Sequence, residues 1–187
     1  MKNAWEGIRP AAIVGHSTGE AAAAHVAGQL DLATACTVIY HRSRVQQRAS
    51  GKGRMLAAAL TEAEALERTA PVADRVSIAA MNGPGILTLA GDAEPLEAIA
   101  AGLAAEGRFN RFLTVAVPFH SHHMDPLRED LEASLAAIRP AAADLPLYST
   151  VTGDLAEDLP YDAAYWWRNV RQPVRFADAI RSLIRDG

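Results

Sequence analysis

Gly15, Ser17 and Gly19 stand at the G-x-S-x-G spacing, directly after the small apolar run 11–14 and directly before an alanine-rich stretch. That is the sequence form of a strand turning sharply into a helix with a serine hydroxyl exposed at the turn. Glycines two before and two after the serine let the chain bend. The first helix amides favour a developing negative charge, and the Thr18 N–H is placed to donate to an oxyanion. The chemistry this would serve is attack by the Ser17 hydroxyl on an acyl carbon. The same residues also read as a plain strand–helix turn with Ser17 as its N-cap.

A nucleophilic serine needs a base, and the chain has six histidines. His16 adjoins the serine and is expected on the opposite side of the turn. His25 and His41 lie in helical runs among apolar neighbours and read as structural. His120, His122 and His123 fall together in Val117-Pro118-Phe119-His120-Ser121-His122-His123-Met124, where a strand hands over to a helix. A junction of that kind is where a cleft forms. These three histidines and Asp125, within six residues, also read as metal ligands, since alternation puts His120 and His122 on one face, but no cysteine or clustered acid supports that. No nearby acid is an evident orienter of His120, so a full Ser-His-Asp triad is not apparent.

The elements that must position these groups follow from pattern. After the elbow a helix is expected to about residue 27, with Gly28 at its C′ place. Asp31 reads as the N-cap of a long helix to about residue 48 carrying Arg42, Arg44 and Arg48, of which Arg44 and Arg48 read as a solvated face. Strands are expected at 54–60, 76–81, 86–90 and 109–117, with Asn82-Gly83-Pro84-Gly85 as a turn. Helices lie between, one opened by a Thr61/Glu64 capping box and one capped by Asp92. The order β-α-β-β-α-β is the ferredoxin-like pattern. Asp125-Pro126 reads as the start of a helix ended by Pro140. A strand at 147–152, a polar loop at 155–164, an aromatic-rich turn or short helix at 165–170 and an amphipathic helix at 173–185 complete the chain.

The expected fold is therefore α/β. A hydrolase-like parallel-sheet core, incomplete here, carries an inserted ferredoxin-like subdomain. The division runs 1–53 for the first part of the core with the elbow, 54–117 for the subdomain, and 118–187 for the return to the core. Two core strands alone leave both sheet edges open, so the chain reads as a stretch of a larger domain. Half of the 187 residues are hydrophobic and 21% are charged, with a net charge of −4. That balance fits a globular enzyme and gives no basic face for nucleic acid or anionic membrane. The single Cys36 excludes an internal disulfide and is expected as a small core residue. No apolar run is long enough to span a membrane, and no leader pattern is present, so a reducing, cytoplasmic setting is expected.

Taken together, Gly15-His16-Ser17-Thr18-Gly19-Glu20, an arginine twenty-five residues after the serine, and Val117-Pro118-Phe119-His120-Ser121 resemble the acyltransferase family of polyketide and fatty acid synthases. That family includes the malonyl-CoA:acyl carrier protein transacylases. The likeness runs from about Trp5 to the end, through Ala80-Met81-Asn82-Gly83-Pro84, Tyr148-Ser149-Thr150-Val151-Thr152-Gly153, Trp167-Arg168-Asn169-Val170 and Pro173-Val174-Arg175-Phe176. It implies Ser17 as the acylated nucleophile and His120 as general base and acid. The backbone carbonyl of Asn169 would hold the His120 tautomer, and Thr18 N–H would form half of an oxyanion hole. Arg42 would grip the free carboxylate of a malonyl-type group. Phe119, before the histidine, resembles the malonyl-selective pattern and would crowd a 2-methyl branch. Met55, Asn82 and His16 would line the pocket. Pro118 and Thr18 depart from the commonest family pattern. The implied substrate is malonyl-CoA or a related CoA thioester, with no bound cofactor and no metal. The implied partners are an acyl carrier protein with its phosphopantetheine arm and other synthase domains, with neither nucleic acid nor membrane. The family's upstream Gly-Gln-Gly stretch and closing Val-Gly-Pro-His-type segment are not in this sequence. The isolated chain is thus expected to be a slow enzyme. An α/β-hydrolase-type esterase or thioesterase, and a non-catalytic scaffold, remain rival readings of the same elbow.

Overall fold

The computed structural model describes residues 10–187; the lead-in at 1–9 lies outside them. Two sheets organise the chain. The smaller has the order β1-β6-β7, in which Ile13–Val14 (β1) pairs in parallel with Leu147–Ser149 (β6), and β6 pairs antiparallel with Asp154–Leu155 (β7). β7 lies at the start of the stretch expected to be loop. β1 and β6 are shorter than the expected 11–14 and 147–152.

The first two helices beside this sheet start where the sequence predicts. Gly19–Val26 (α1) follows the elbow, and Gly28 adopts φ +93° just beyond it, the left-handed exit that glycine makes without strain. Asp31 Oδ1 accepts from Thr34 N at 2.7 Å and opens Leu32–Gln46 (α2), which ends in a 3-10 turn over Gln47–Ala49. Cys36 lies on the exposed face of α2 and not in the core, because the buried positions Ala35, Val38, Arg42 and Val45 run along the opposite stripe.

The larger sheet comprises Arg54–Ala58 (β2), Val76–Gly83 (β3), Ile86–Gly91 (β4) and Asn110–Phe112 (β5) in the order β3-β4-β2-β5, every neighbouring pair antiparallel. Glu62–Thr69 (α3) and Ala93–Ala105 (α4) connect β2 to β3 and β4 to β5, which gives the ferredoxin-like β-α-β-β-α-β order. The Thr61/Glu64 capping box is formed in full. β5 stops at Phe112, well short of residue 117. Its partner β2 begins at Arg54, so the ladder runs out after Leu113 N donates to Met55 O at 2.9 Å.

The last third returns to the smaller sheet. Where Asp125-Pro126 was expected to open a helix, Ser121 caps a 3-10 stretch over His122–Leu127, and regular helix begins only at Arg128–Leu135 (α5). Pro126 sits inside the 3-10 stretch. Ala163–Arg171 (α6), capped by Asp162, and Phe176–Asp186 (α7) follow. One apolar core packs α1, α2, α5 and α6 with Leu147 and Trp166, and a second lies between the larger sheet and α3 and α4. Residues 172–175 tie the two together. Val174 N donates to Ala79 O at 2.9 Å, Met81 N donates to Val174 O at 2.8 Å, and Arg175 N donates to Thr150 O at 2.7 Å. Among the described residues no helix is long and apolar enough to cross a membrane.

Candidate active site

At the end of β1 the chain turns so tightly that a side chain on Gly15 would run into the Gly19 carbonyl and the Glu20 amide. Gly19 meets nothing comparable, so of the two flanking glycines the first is the steric requirement. Ser17 takes φ +52°, the left-handed conformation of a nucleophile elbow. Glu20 N donates to Ser17 O at 3.0 Å, which starts α1 immediately behind the hydroxyl. Thr18 is exposed at the N-cap of α1.

The far side of the site is set by the loop after Val117. His120 also has a positive φ, +59°, and Ser121, fully buried, donates its hydroxyl to Pro118 O at 2.6 Å. This turn brings His120 Nε2 to 2.8 Å from Ser17 Oγ across 103 residues of sequence. His120 Nδ1 lies 2.9 Å from the carbonyl oxygen of Gln172. The Nδ1–H therefore donates to that carbonyl, and Nε2 is left to accept the serine proton. The carbonyl belongs to Gln172, not to Asn169 as expected. Gln172 lies just beyond the end of α6, whereas Asn169 lies within its last turn and turns its side-chain amide to Ser17 O at 3.3 Å. Burial, and then the Arg42 charge, bring the His120 pKa down to about 3, so the imidazole is neutral.

Arg42 reaches the same point from α2. Its Nη2 donates to Ser17 Oγ at 2.8 Å, and the residue is 2% exposed, unlike Arg44 and Arg48, which pair with Asp130 at the surface. Its Nε and Nη1 are buried and find no acceptor among the described residues. Burial lowers its pKa to about 10, with Glu20 opposing that shift. Glu20 is fully buried and accepts from Thr150 N at 2.6 Å, from the Thr150 hydroxyl and from the Tyr165 hydroxyl. Burial pushes its carboxyl up, against those donors and the Arg42 charge. The importance of Glu20, Thr150, Tyr165 and Gln172 was missed in the sequence. Glu20 had a signal, an acid three places after the serine on the buried face of α1, whereas the Gln172 carbonyl has none.

The remaining expected residues divide. His16 Nε2 lies 2.8 Å from Asn82 Oδ1, linking the elbow to the end of β3, and both residues are exposed. Phe119 packs against both the helical core and the small cluster of Met55, Ala79 and Ala90, which places Met55 in the apolar surroundings of Phe119. His122 and His123 point away from Ser17 and toward Asp92, which overturns the pairing of His120 with His122 on one face. Asp125 is bound instead by Arg171 at 2.6 Å.

Ser17, a neutral imidazole and a buried guanidinium thus meet at one hydroxyl, in a chain that resembles known proteins over nearly all of its length. The family model described as "Acyl transferase domain" matches residues 4–187. Erythronolide synthase EryA3 of Saccharopolyspora erythraea is 44% identical over 182 residues, covering 97% of this chain and 6% of that protein. Polyketide synthase GfsB of Streptomyces halstedii is 44% identical over 179 residues, covering 95% of this chain and 3% of that protein. Among solved structures, the acyltransferase domain from module 8 of the salinomycin polyketide synthase superposes with a TM-score of 0.92 at 37% identity, covering 97% of this chain and 43% of that one. A malonyl CoA-acyl carrier protein transacylase from Clostridium perfringens does so with a TM-score of 0.89 at 26% identity, covering 97% of this chain and 59% of that one. The chain thus spans less than a tenth of these curated relatives, and with a match over nearly all of its own length it belongs to the acyl transferase domain family.

Proposed function

We propose that this chain transfers a malonyl-type acyl group from coenzyme A to the phosphopantetheine thiol of an acyl carrier protein, within a polyketide or fatty acid synthase. The observation that carries the reading is the convergence of His120 Nε2 and Arg42 Nη2 on Ser17 Oγ, each at 2.8 Å. In the first half, Ser17 gives its proton to His120 Nε2 as Oγ attacks the thioester carbonyl. The tetrahedral oxyanion is met by the Thr18 N–H at the head of α1. When the C–S bond breaks, His120 returns that proton to the departing sulfur, leaving coenzyme A and acyl-serine. In the second half, the carrier thiol gives its proton to His120 and attacks the ester. Collapse of the second tetrahedral species breaks the C–Oγ bond, and Ser17 takes the proton back.

The Gln172 carbonyl takes the place of a triad acid, because it holds the Nδ1–H tautomer without adding charge. Arg42 binds the free carboxylate of the acyl group through Nη1, which lacks a partner, and the second N–H of Nη2, the end-on edge on which a guanidinium offers two parallel bonds. Phe119 limits the space beside the acyl carbon and favours malonyl over a 2-methyl analogue. The exposed His16–Asn82 pair borders the substrate side, with Met55 behind Phe119. Every step uses side chains and backbone alone, with no cofactor. Residues 54–117 act as the inserted unit between 1–53 and 118–187, and a cytoplasmic setting accords with a synthase.

The test is incubation with isotopically labelled malonyl-CoA, followed by mass spectrometry of the Ser17 peptide. A malonyl adduct on Ser17 that is absent in Ser17→Ala, and that a carrier protein removes, is expected. Hydrolysis of simple esters with no transfer to a thiol would favour the esterase reading. No adduct, even in a polypeptide extended to the length of the solved acyltransferases, would favour a scaffold.

A further inference from the structure

Away from Ser17, three other side chains converge where the larger sheet meets the segment running from His120 to α5. Asp92 occupies the N-cap place of α4 but makes no side-chain bond to that helix. Its Oδ2 accepts from Arg75 Nε at 2.8 Å, while Oδ1 faces two imidazoles, His122 Nε2 at 3.2 Å and His123 Nε2 at 2.9 Å. The two rings lie 4.0 Å apart, tilted by 39°. A direct hydrogen bond does not account for all of this. His123 Nε2 is buried and close to Oδ1, yet has no aligned hydrogen-bond partner among the described residues.

The spacing fits a shared ion. Nitrogen and oxygen ligands held about 2.0–2.1 Å from a tetrahedral zinc stand about 3.3 Å from one another. The two histidine–aspartate separations are within a few tenths of an ångström of that edge. The three ligand atoms all lie within 4.8 Å of one another. Two imidazoles and a carboxylate suit a borderline transition ion such as zinc or cobalt and not calcium or magnesium, which want more oxygens. Arg75 on the second carboxylate oxygen is the kind of outer partner that orients a ligating acid. Side-chain exposures of 15–29% leave a route in for the ion.

We propose that Asp92 Oδ1, His122 Nε2 and His123 Nε2 form a binding site for a divalent transition metal, with its remaining position open to water. The site is separate from the acyl-transfer centre. His120 turns its ring to Ser17 and Gln172, and no ligand of the metal touches Ser17. Its effect is to fasten α4 to the loop that carries His120, and it holds whether or not the acyl-transfer reading does.

The experiment is titration of the chelator-treated chain with zinc by calorimetry and with cobalt(II) by visible absorption. One equivalent should bind saturably, with the d–d bands of four- or five-coordinate cobalt. Asp92→Asn, which keeps the shape, and His123→Ala each disturb a direct ligand and should weaken binding by at least the roughly tenfold to hundredfold that loss of an outer partner costs. His25→Ala should leave it unchanged. Circular dichroism checks folding, and Asp92→Asn alone carries the result if His123→Ala does not fold. No saturable binding, or equal binding by the chain and Asp92→Asn, would overturn the proposal.

Discussion

Arg42 gives the sharpest expectation at the scale of single residues. Two charge-assisted hydrogen bonds to a carboxylate are worth about 3 kcal/mol or more together, roughly a hundredfold. Arg42→Ala should therefore lower kcat/KM for malonyl-CoA about a hundredfold or more. Acetyl-CoA, which has no carboxylate to lose, should suffer far less, and equal losses for both would remove Arg42 from carboxylate recognition. Phe119 offers the complementary test. Phe119→Ser opens space beside the acyl carbon, where one methyl group counts for roughly 1–3 kcal/mol. The ratio of methylmalonyl to malonyl transfer should rise about tenfold, and an unchanged ratio would place selectivity elsewhere. Ser17, His120 and Arg42 were legible in the sequence because each spends a distinctive side chain at a motif position. Gln172 was not, because what it offers His120 is a backbone carbonyl, which every residue possesses. Cys36 was misplaced because a small residue in a helix carries no mark of which face it takes.

At the scale of elements, local capping was legible and tertiary pairing was not. Asp31 and Thr61 cap as short-range chemistry demands, since donor and acceptor lie within three residues. Asp92, also expected to cap, instead gives its carboxylate to Arg75 and two imidazoles and makes no side-chain bond to α4. β5 and β6 were expected too long because a strand lasts only while its neighbour does, and the neighbour is distant in sequence. The Asp125-Pro126 start failed because Ser121 captures the chain one turn earlier. The Thr61 box also makes a pH prediction. Glu64 is held by Arg108 first, and then by Thr61, so that its pKa falls from 4.5 to about 2. A carboxylate with a depressed native pKa adds stability that is complete above about pH 4.5 and lost as pH falls through about 2. In urea unfolding followed from pH 5 to pH 2, the parent chain should lose stability more steeply than Glu64→Gln. Parallel curves would mean that Glu64 is no better held in the folded chain than in the unfolded one.

At the scale of the whole molecule, the segment 172–175 touches both cores and His120. Within four residues it accepts from His120 Nδ1, bridges β3 through Val174 and reaches Thr150 through the Arg175 amide. Thr150 in turn donates to Glu20, three residues after the serine. The position of His120 relative to Ser17 therefore depends on the larger sheet, although no residue of that sheet bonds to either. Val174→Pro isolates this dependence, because proline removes the N–H that binds Ala79 O and leaves the side-chain inventory of the site untouched. The loss of one buried bond costs about 1–3 kcal/mol, too little to unfold a domain but enough to free the segment. Exchange of the Met81 amide, whose acceptor is Val174 O, should quicken in the variant, while amides in the β2–β4 ladder keep their protection. Acyl transfer should fall by about tenfold or more, chiefly in kcat, as the Gln172 carbonyl ceases to hold the imidazole in register. Faster Met81 exchange with an unchanged kcat would mean that His120 is held by its own loop alone, through Ser121 and Pro118, and that the larger sheet has no part in placing the base.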